Sequence, residues 1–234
     1  MQDGFIKVAA GTPEIRVADC DFNKNSILKL AQEAGGLGVK LLALPELCVT
    51  GYTCGDLFFQ QALLDKAEKT LLEIIAETSR LDMIIVLGCP IRGENRLYNC
   101  AAVINKGKCL ALVPKSHMPN YNEFYEKRHF SDFYHDMDTK LGKITKNVIF
   151  CADEMRDFSF GVEICEDLWT VCPPSGSLAL GGANIIVNIS ASNEIIGKDS
   201  YRRELVKGQS ARLMAGYVYA NAGEGESTQD LVFS

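Results

Sequence analysis

Val39-Lys40-Leu41-Leu42-Ala43-Leu44-Pro45-Glu46 is an almost unbroken apolar run that stops on a proline and a carboxylate. A half-exposed strand would alternate polar with apolar residues. A run without alternation leaves no face for water and reads as a strand buried on both sides, which belongs in a sheet covered by helices. The flanks supply the cover. Upstream, 5–10 reads as a strand, and Asn23 is placed to cap a helix with Ile27, Leu30, Ala31 and Ala34 on one face, ending at Gly35-Gly36. Downstream, Leu64, Ala67, Leu71, Ile74, Ile75 and Thr78 share one face of a helix over about 60–80, and 83–89 is the next buried strand.

Further along the periodicity changes. Segments 97–104 and 108–113 read as strands joined by Asn105-Lys106-Gly107, a hairpin signal. Residues 131–147 are polar and irregular and read as an exposed insertion or flexible loop. Strands follow at 158–164, 185–189 and 218–220, with helices at about 175–182 and 200–215. Parallel-type units mixed with hairpins predict an α/β layered domain with helices on the sheet faces. No repeat or interdomain linker interrupts 1–234. Asp230-Leu231-Val232-Phe233-Ser234 reads as the opening of a strand with no partner to follow, so a domain cut short at its C-terminal end is expected.

The 234 residues are 47% apolar and 23% charged, enough for one sizeable core. No apolar run approaches the roughly 20 residues that span a bilayer, and Met1-Gln2-Asp3-Gly4 does not open a signal peptide. A net charge of −6 argues against a nucleic-acid partner. The nine cysteines are scattered, and Cys89, Cys100, Cys109 and Cys151 sit among apolar neighbours like small core residues. That pattern predicts reduced thiols and a cytoplasmic setting. There is no C-x-x-C pair, and His117, His129 and His135 lack helical spacing, so no metal site is expected.

Three reactive groups share one setting. Glu46 follows the run 39–45, Lys115 follows Leu110-Ala111-Leu112-Val113-Pro114, and Cys165 follows Phe158-Ser159-Phe160-Gly161-Val162-Glu163-Ile164. Strand ends are where layered α/β proteins place their sites. Taken singly, each has an ordinary explanation: a solvated glutamate, a surface lysine, a core cysteine. Taken together they have complementary chemistry. A thiol nucleophile needs a base, which a buried glutamate can be, and its tetrahedral intermediate needs a positive partner, which a lysine can be. The N–H of the residue after Cys165 is placed to complete an oxyanion hole.

At these residues the sequence resembles the nitrilase (carbon–nitrogen hydrolase) superfamily, whose members carry a Glu-Lys-Cys triad on a four-layer α-β-β-α sandwich. The order Glu46, Lys115, Cys165 and the flanks Leu44-Pro45-Glu46-Leu47 and Glu163-Ile164-Cys165-Glu166-Asp167 carry the likeness, which runs from Phe5 to Ser234. Three longer segments are similar to the glutaminase domains of glutamine-dependent NAD synthetases. They are Leu44–Tyr52 with Gly55-Asp56-Leu57-Phe58, Lys115–Tyr121 with Glu123–Phe130, and Cys165-Glu166-Asp167-Leu168-Trp169 with Pro173-Pro174. The resemblance implies that Cys165 attacks the glutamine side-chain amide, Glu46 serves as base and acid, and Lys115 holds the oxyanion. It makes Glu123 the second glutamate that positions lysine and substrate, Tyr52, Tyr121 and Phe124 pocket walls, and Glu166 and Ser192 contacts for the amino-acid end. Where relatives often place an arginine for the substrate carboxylate, this chain has Lys198, with Arg202 and Arg203 as neighbouring candidates; lysine keeps the charge and loses the bidentate fork.

The same resemblance implies a synthetase domain that receives ammonia and uses ATP and Mg, with no cofactor for the glutaminase step, and a homo-oligomer. That domain is absent from 1–234. Gly181-Gly182-Ala183-Asn184 lacks the Asp-Ser of a pyrophosphatase loop, and Gly223-Glu224-Gly225-Glu226-Ser227-Thr228 lacks the lysine of a Walker loop; both read as turns. Three rivals stand beside this reading. One is a free-standing amidase or nitrilase of the same fold. Another is a Cys-His-Glu amidotransferase, disfavoured because all three histidines precede Cys165 and because Cys54 lacks an elbow. The third is a catalytically dead scaffold.

Overall fold

The computed structural model describes residues 4–153, 155–227 and 231–233. Its helices are α1 Cys20–Gly36, α2 Gln61–Glu77, α3 Pro174–Leu180 and α4 Lys198–Leu213. The strands are β1 Val8–Ala10, β2 Leu41–Ala43, β3 Ile84–Gly93, β4 Arg96–Asn105, β5 Lys108–Pro114, β6 Met137–Thr139, β7 Gly142–Ile144, β8 Ile149–Ala152, β9 Met155–Ile164, β10 Ile185–Ser190 and β11 Gly216–Asn221. They form a seven-stranded sheet in the order β1-β2-β3-β4-β5-β7-β6 and a four-stranded sheet in the order β11-β10-β9-β8. β1, β2 and β3 are parallel to one another, as are β9, β10 and β11. The long β3-β4-β5 meander is antiparallel.

The apolar run around β2 accounts for the layers. Along β2, Leu41 and Ala43 face a core shared with Val86, Val103, Phe160, Val162 and Ile189, which lies between the two sheets. Leu42 and Leu44 face the opposite way, onto Ile27 and Ala31 of α1 and Leu71 and Ile74 of α2. Behind the smaller sheet, Leu178 of α3 packs with Ile186 and Ala215. The order is helices, sheet, sheet, helices: the four-layer sandwich that the resemblance implied. No described helix is long and apolar enough to cross a membrane.

Four expectations need correction. Helix α1 begins at Cys20, and its cap is Asp19, whose carboxylate accepts the Phe22 N–H at 3.1 Å. Asn23 is buried instead, its amide bridging the backbone of Arg16 and the carbonyl of Val49. Both residues are good caps in isolation; the tertiary partners of Asn23 decide between them. Residues 131–147 are not a loose insertion. They carry the β6-β7 hairpin, which joins the large sheet through Leu112 and Ile144 and buries Met137, Leu141 and Ile144. Cys151 is exposed rather than in the core; all nine cysteines are free thiols. Leu231–Phe233 form no strand; Leu231 and Phe233 are buried with Ala191 and Ala222 against Tyr52 and Phe124, while Asp230 and Ser234 lie outside the described residues. Turns are present at Gly181-Gly182 and Glu224-Gly225, as expected, while Thr228 lies outside the described residues.

Candidate active site

The two sheets pack face to face, so the ends of β2 and β5 from one meet the ends of β9 and β10 from the other. Glu46, Lys115 and Cys165 are brought together there, all buried. One Glu46 oxygen accepts from Lys115 Nζ and from Asn99 Nδ2, both at 2.6 Å; the other accepts from the Ala191 N–H at 3.0 Å. That N–H also faces the Cys165 sulfur. Gly88 makes this possible. A Cβ there would lie 2.0 Å from the Leu47 nitrogen and 2.7 Å from Glu46 Cα, so only glycine lets β3 pass so close beneath the base.

A second carboxylate completes the cluster, and it is Glu126 rather than Glu123. Glu126 Oε1 accepts from Lys115 Nζ at 2.6 Å and from the Tyr52 hydroxyl at 2.8 Å. The loop after Lys115 makes a 3₁₀ turn over Glu126–Arg128, which carries Glu126 back beneath the lysine. Glu123, three residues earlier, lies at the cleft rim and accepts from Asn193 Nδ2 at 2.5 Å. Asp167 ties the halves together. It accepts from Ile164 N at 2.9 Å, ahead of the nucleophile, and from Ser116 and His117 N at 3.1 and 2.7 Å, just past the lysine.

Charge decides the resting state. Burial works against the Lys115 ammonium, but the Glu126 and Glu46 carboxylates outweigh it and hold its pKa well above the usual range. Burial lifts Glu126 above the ordinary carboxylate range; Glu46 adds to the rise and Lys115 opposes it. Burial, then the charge of Glu46, push the Cys165 thiol far up, against the pull of Lys115. Cys165 therefore rests as a thiol and needs a base beside it to become a nucleophile.

The sulfur opens into a cleft of about 430 Å³. Tyr121, Glu123, Phe124, Glu166, Ser192 and Lys198 all line it. Tyr52 does not. Its ring lies edge-on to Phe124 and Phe233, with centroids 6.4 and 6.3 Å away, and lines a separate cavity of about 50 Å³ behind Glu126. The Tyr121 hydroxyl donates to Glu166 at 3.0 Å, and burial raises the Glu166 pKa. Lys198 Nζ donates to Asn193 Oδ1 at 2.5 Å and lies 5.8 and 5.5 Å from the Phe124 and Trp169 ring centres. Its pKa is lowered by burial. Arg202 is engaged by Glu194 and Arg203 by Asp199, so Lys198 is the cation that faces the cleft.

Reading the sequence missed Glu126, Asn99, Gly88 and Asn193. Glu126 stands inside the segment Glu123–Phe130, and its spacing from Lys115 gives no reason to prefer it to Glu123. The others follow apolar patterns or loops that show no chemistry until the strands pair.

A carbon–nitrogen hydrolase family model matches residues 7–221. The chain is 40% identical over 237 residues to the glutamine-dependent NAD(+) synthetase of Mycobacterium tuberculosis, covering 99% of this chain and 35% of that protein. It is 30% identical to the Rattus norvegicus enzyme of the same name, over 92% of this chain and 31% of that one. The chain thus spans about a third of the length of these relatives. Among solved structures, the glutamine-dependent NAD(+) synthetase of Cytophaga hutchinsonii superposes with a TM-score of 0.81 at 30% identity, covering 93% of this chain and 36% of that one. An amidase from Nesterenkonia sp. superposes at 0.76 and 20% identity over 100% of this chain and 81% of its own, a likeness of fold. With the model matching nearly the whole chain and the Glu46–Lys115–Cys165 cluster in place, the chain belongs to the carbon–nitrogen hydrolase family.

Proposed function

We propose that this chain is a glutaminase domain that releases ammonia from the side chain of glutamine. The observation that carries the reading is the buried Glu46–Lys115 pair beside a protonated Cys165, at the floor of a cleft with a cation, Lys198, and two carboxylates, Glu166 and Glu123, on its walls. A neutral amide with a zwitterionic far end fits such a cleft. Lys198 would take the α-carboxylate; Glu166, Glu123 and Ser192 would take the α-ammonium end, with Tyr121 and Phe124 against the methylenes.

Glu46 removes the thiol proton as Cys165 attacks the amide carbon. Lys115 and the N–H after Cys165 hold the oxyanion. Glu46 returns the proton to the amide nitrogen as the C–N bond breaks, and ammonia leaves a glutamyl thioester. Water, deprotonated by Glu46, attacks the thioester, and glutamate leaves as the thiol is restored. These steps use only side chains and backbone of this chain, with no metal or cofactor.

By the same reading the ammonia serves ATP-dependent amidation of nicotinate adenine dinucleotide to NAD, in a synthetase domain that uses ATP and Mg and lies outside residues 1–234. Cytoplasmic location and homo-oligomeric assembly belong to this proposal too. Its supports are the relatives named above and the nine free cysteines. The test is ammonia release from glutamine by the purified chain, with Cys165→Ala as the inactive, folded control. Activity unchanged in Cys165→Ala would sink the triad, and hydrolysis of another small amide or a nitrile, but not glutamine, would favour a free-standing amidase.

A further inference from the structure

Strand β9 alone would aim Cys165 the wrong way. Its side chains alternate, with Phe158, Phe160, Val162 and Ile164 facing the core between the sheets, so position 165 falls on the helix side with Glu163. Cys165 instead adopts φ +45°, and its side chain joins the core between the sheets. That left-handed conformation is disfavoured for any residue with a Cβ and persists only where the surroundings hold it.

What holds it is a side chain of the neighbouring strand. The β9–β10 ladder ends at Ile164 and Ile189. The next N–H, that of Cys165, donates to Asn188 Oδ1 at 3.2 Å, and the Ser190 hydroxyl donates to the same oxygen at 2.7 Å. Behind it, Asn188 Nδ2 faces the Tyr217 hydroxyl at 3.2 Å and Glu163 Oε1 at 3.5 Å. Tyr217 donates to that same Glu163 oxygen, and Ser175 N–H donates to the other at 2.8 Å. Asn188, Ser190 and Glu163 are all buried. The chain has one direction. The carboxylate accepts, so the phenol donates to it and its oxygen is left to accept from Nδ2, which turns Oδ1 towards Cys165.

We propose that Asn188, oriented by the Glu163–Tyr217 pair, is a positioning residue whose Oδ1 holds the Cys165 N–H and the left-handed turn that aims the sulfur at Glu46. It touches no substrate. The inference rests on Cys165 being the nucleophile, and on neither glutamine nor the synthetase.

Asn188→Leu keeps the branched outline of the side chain, with bulkier methyl ends, and removes the acceptor; Tyr217→Phe removes only the hydroxyl. Two rates are read: ammonia release in the first turnover per folded site, with folded sites counted from the amplitude of the thermal unfolding transition, and alkylation of Cys165 by iodoacetamide, followed by mass spectrometry of its peptide. A misaimed nucleophile costs about 10²-fold, so Asn188→Leu should slow the first turnover by that much with the folded fraction little changed, and should slow alkylation of Cys165. Tyr217→Phe, losing one hydrogen bond of the chain, should slow it about tenfold. A network that only stabilises the sheet would lower the melting temperature or the folded fraction and leave the rate per site unchanged; that result overturns the proposal. If Asn188→Leu does not fold, Tyr217→Phe decides the matter by the same measure. If the wild type releases no ammonia from glutamine, the substrate reading fails, and alkylation rates in wild type and variants still decide this one, equal rates overturning it.

Discussion

Two glutamates compete for the place beside Lys115, and one pair of variants separates them. Glu126 Oε1 lies 2.6 Å from Lys115 Nζ, whereas Glu123 binds Asn193 at the cleft rim. Glu126→Gln keeps an oxygen for the lysine and removes the charge. A hydrogen bond to a charged group contributes about 1.5–3 kcal/mol and a neutral one about 0.5–1.5, so removing the charge takes away about 1–1.5 kcal/mol, which at about 1.4 kcal/mol per decade lowers kcat about 5- to 12-fold. Burial raises the Glu126 pKa, so acidification protonates this carboxylate ahead of an exposed one. The gap between wild type and Glu126→Gln should therefore narrow as pH falls. The assay is initial-rate ammonia release over a glutamine series at each pH, with thermal melts confirming that both variants fold. Glu123→Gln should keep kcat within about twofold and act on KM, since uniform binding shows in KM alone. A collapse of kcat in Glu123→Gln with Glu126→Gln near wild type would refute the assignment.

Gly88→Ala should disable the enzyme with every catalytic side chain still present: its Cβ would meet the backbone of Glu46 and Leu47 and push the base aside. Overpacking of this kind costs about 1–3 kcal/mol of stability, and displacement of the base costs about 10²-fold in kcat; denaturant midpoints and rates check both. Lys198→Ala should raise KM for glutamine about tenfold or more with kcat little changed, and Lys198→Arg should restore most of it; glutamine titrations of both variants show whether it does. Glu226 is buried on Thr53 and its pKa is pushed by burial from 4.5 up to about 7. A raised folded-state pKa gives stability that is full below pH 4.5 and lost as pH rises through about 7, at most about 3 kcal/mol. Glu226→Gln should flatten that slope between pH 5 and 8, measured as urea midpoints.

Much of the framework was legible because it depends on local pattern. Unbroken apolar runs marked β2, β3 and β10, helical spacing marked α1 and α2, and three reactive groups at strand ends marked the chemistry. Where the pattern was short or mixed, reading failed. The β6-β7 hairpin has three-residue strands, and its anchors Met137, Leu141 and Ile144 fall at i, i+4 and i+7, the spacing of a helix face rather than of a strand. Asp19 and Asn23 are both cap residues, and only the backbone of Arg16 and Val49 shows which one is free to cap.

Local composition and period are enough to place Cys165, Glu46 and Lys115 at the ends of buried strands. Which groups those strand ends meet depends on how the folded chain brings distant segments together. Glu126 rather than Glu123 reaches Lys115 because a 3₁₀ turn folds back beneath the lysine, a matter of chain path that spacing does not encode. The direction of the Cys165 sulfur is likewise set by a partner on β10 and not by β9. A strand's own period fixes which way a side chain would point, while a hydrogen bond to a neighbouring strand, available only after the sheet has formed, can overrule it.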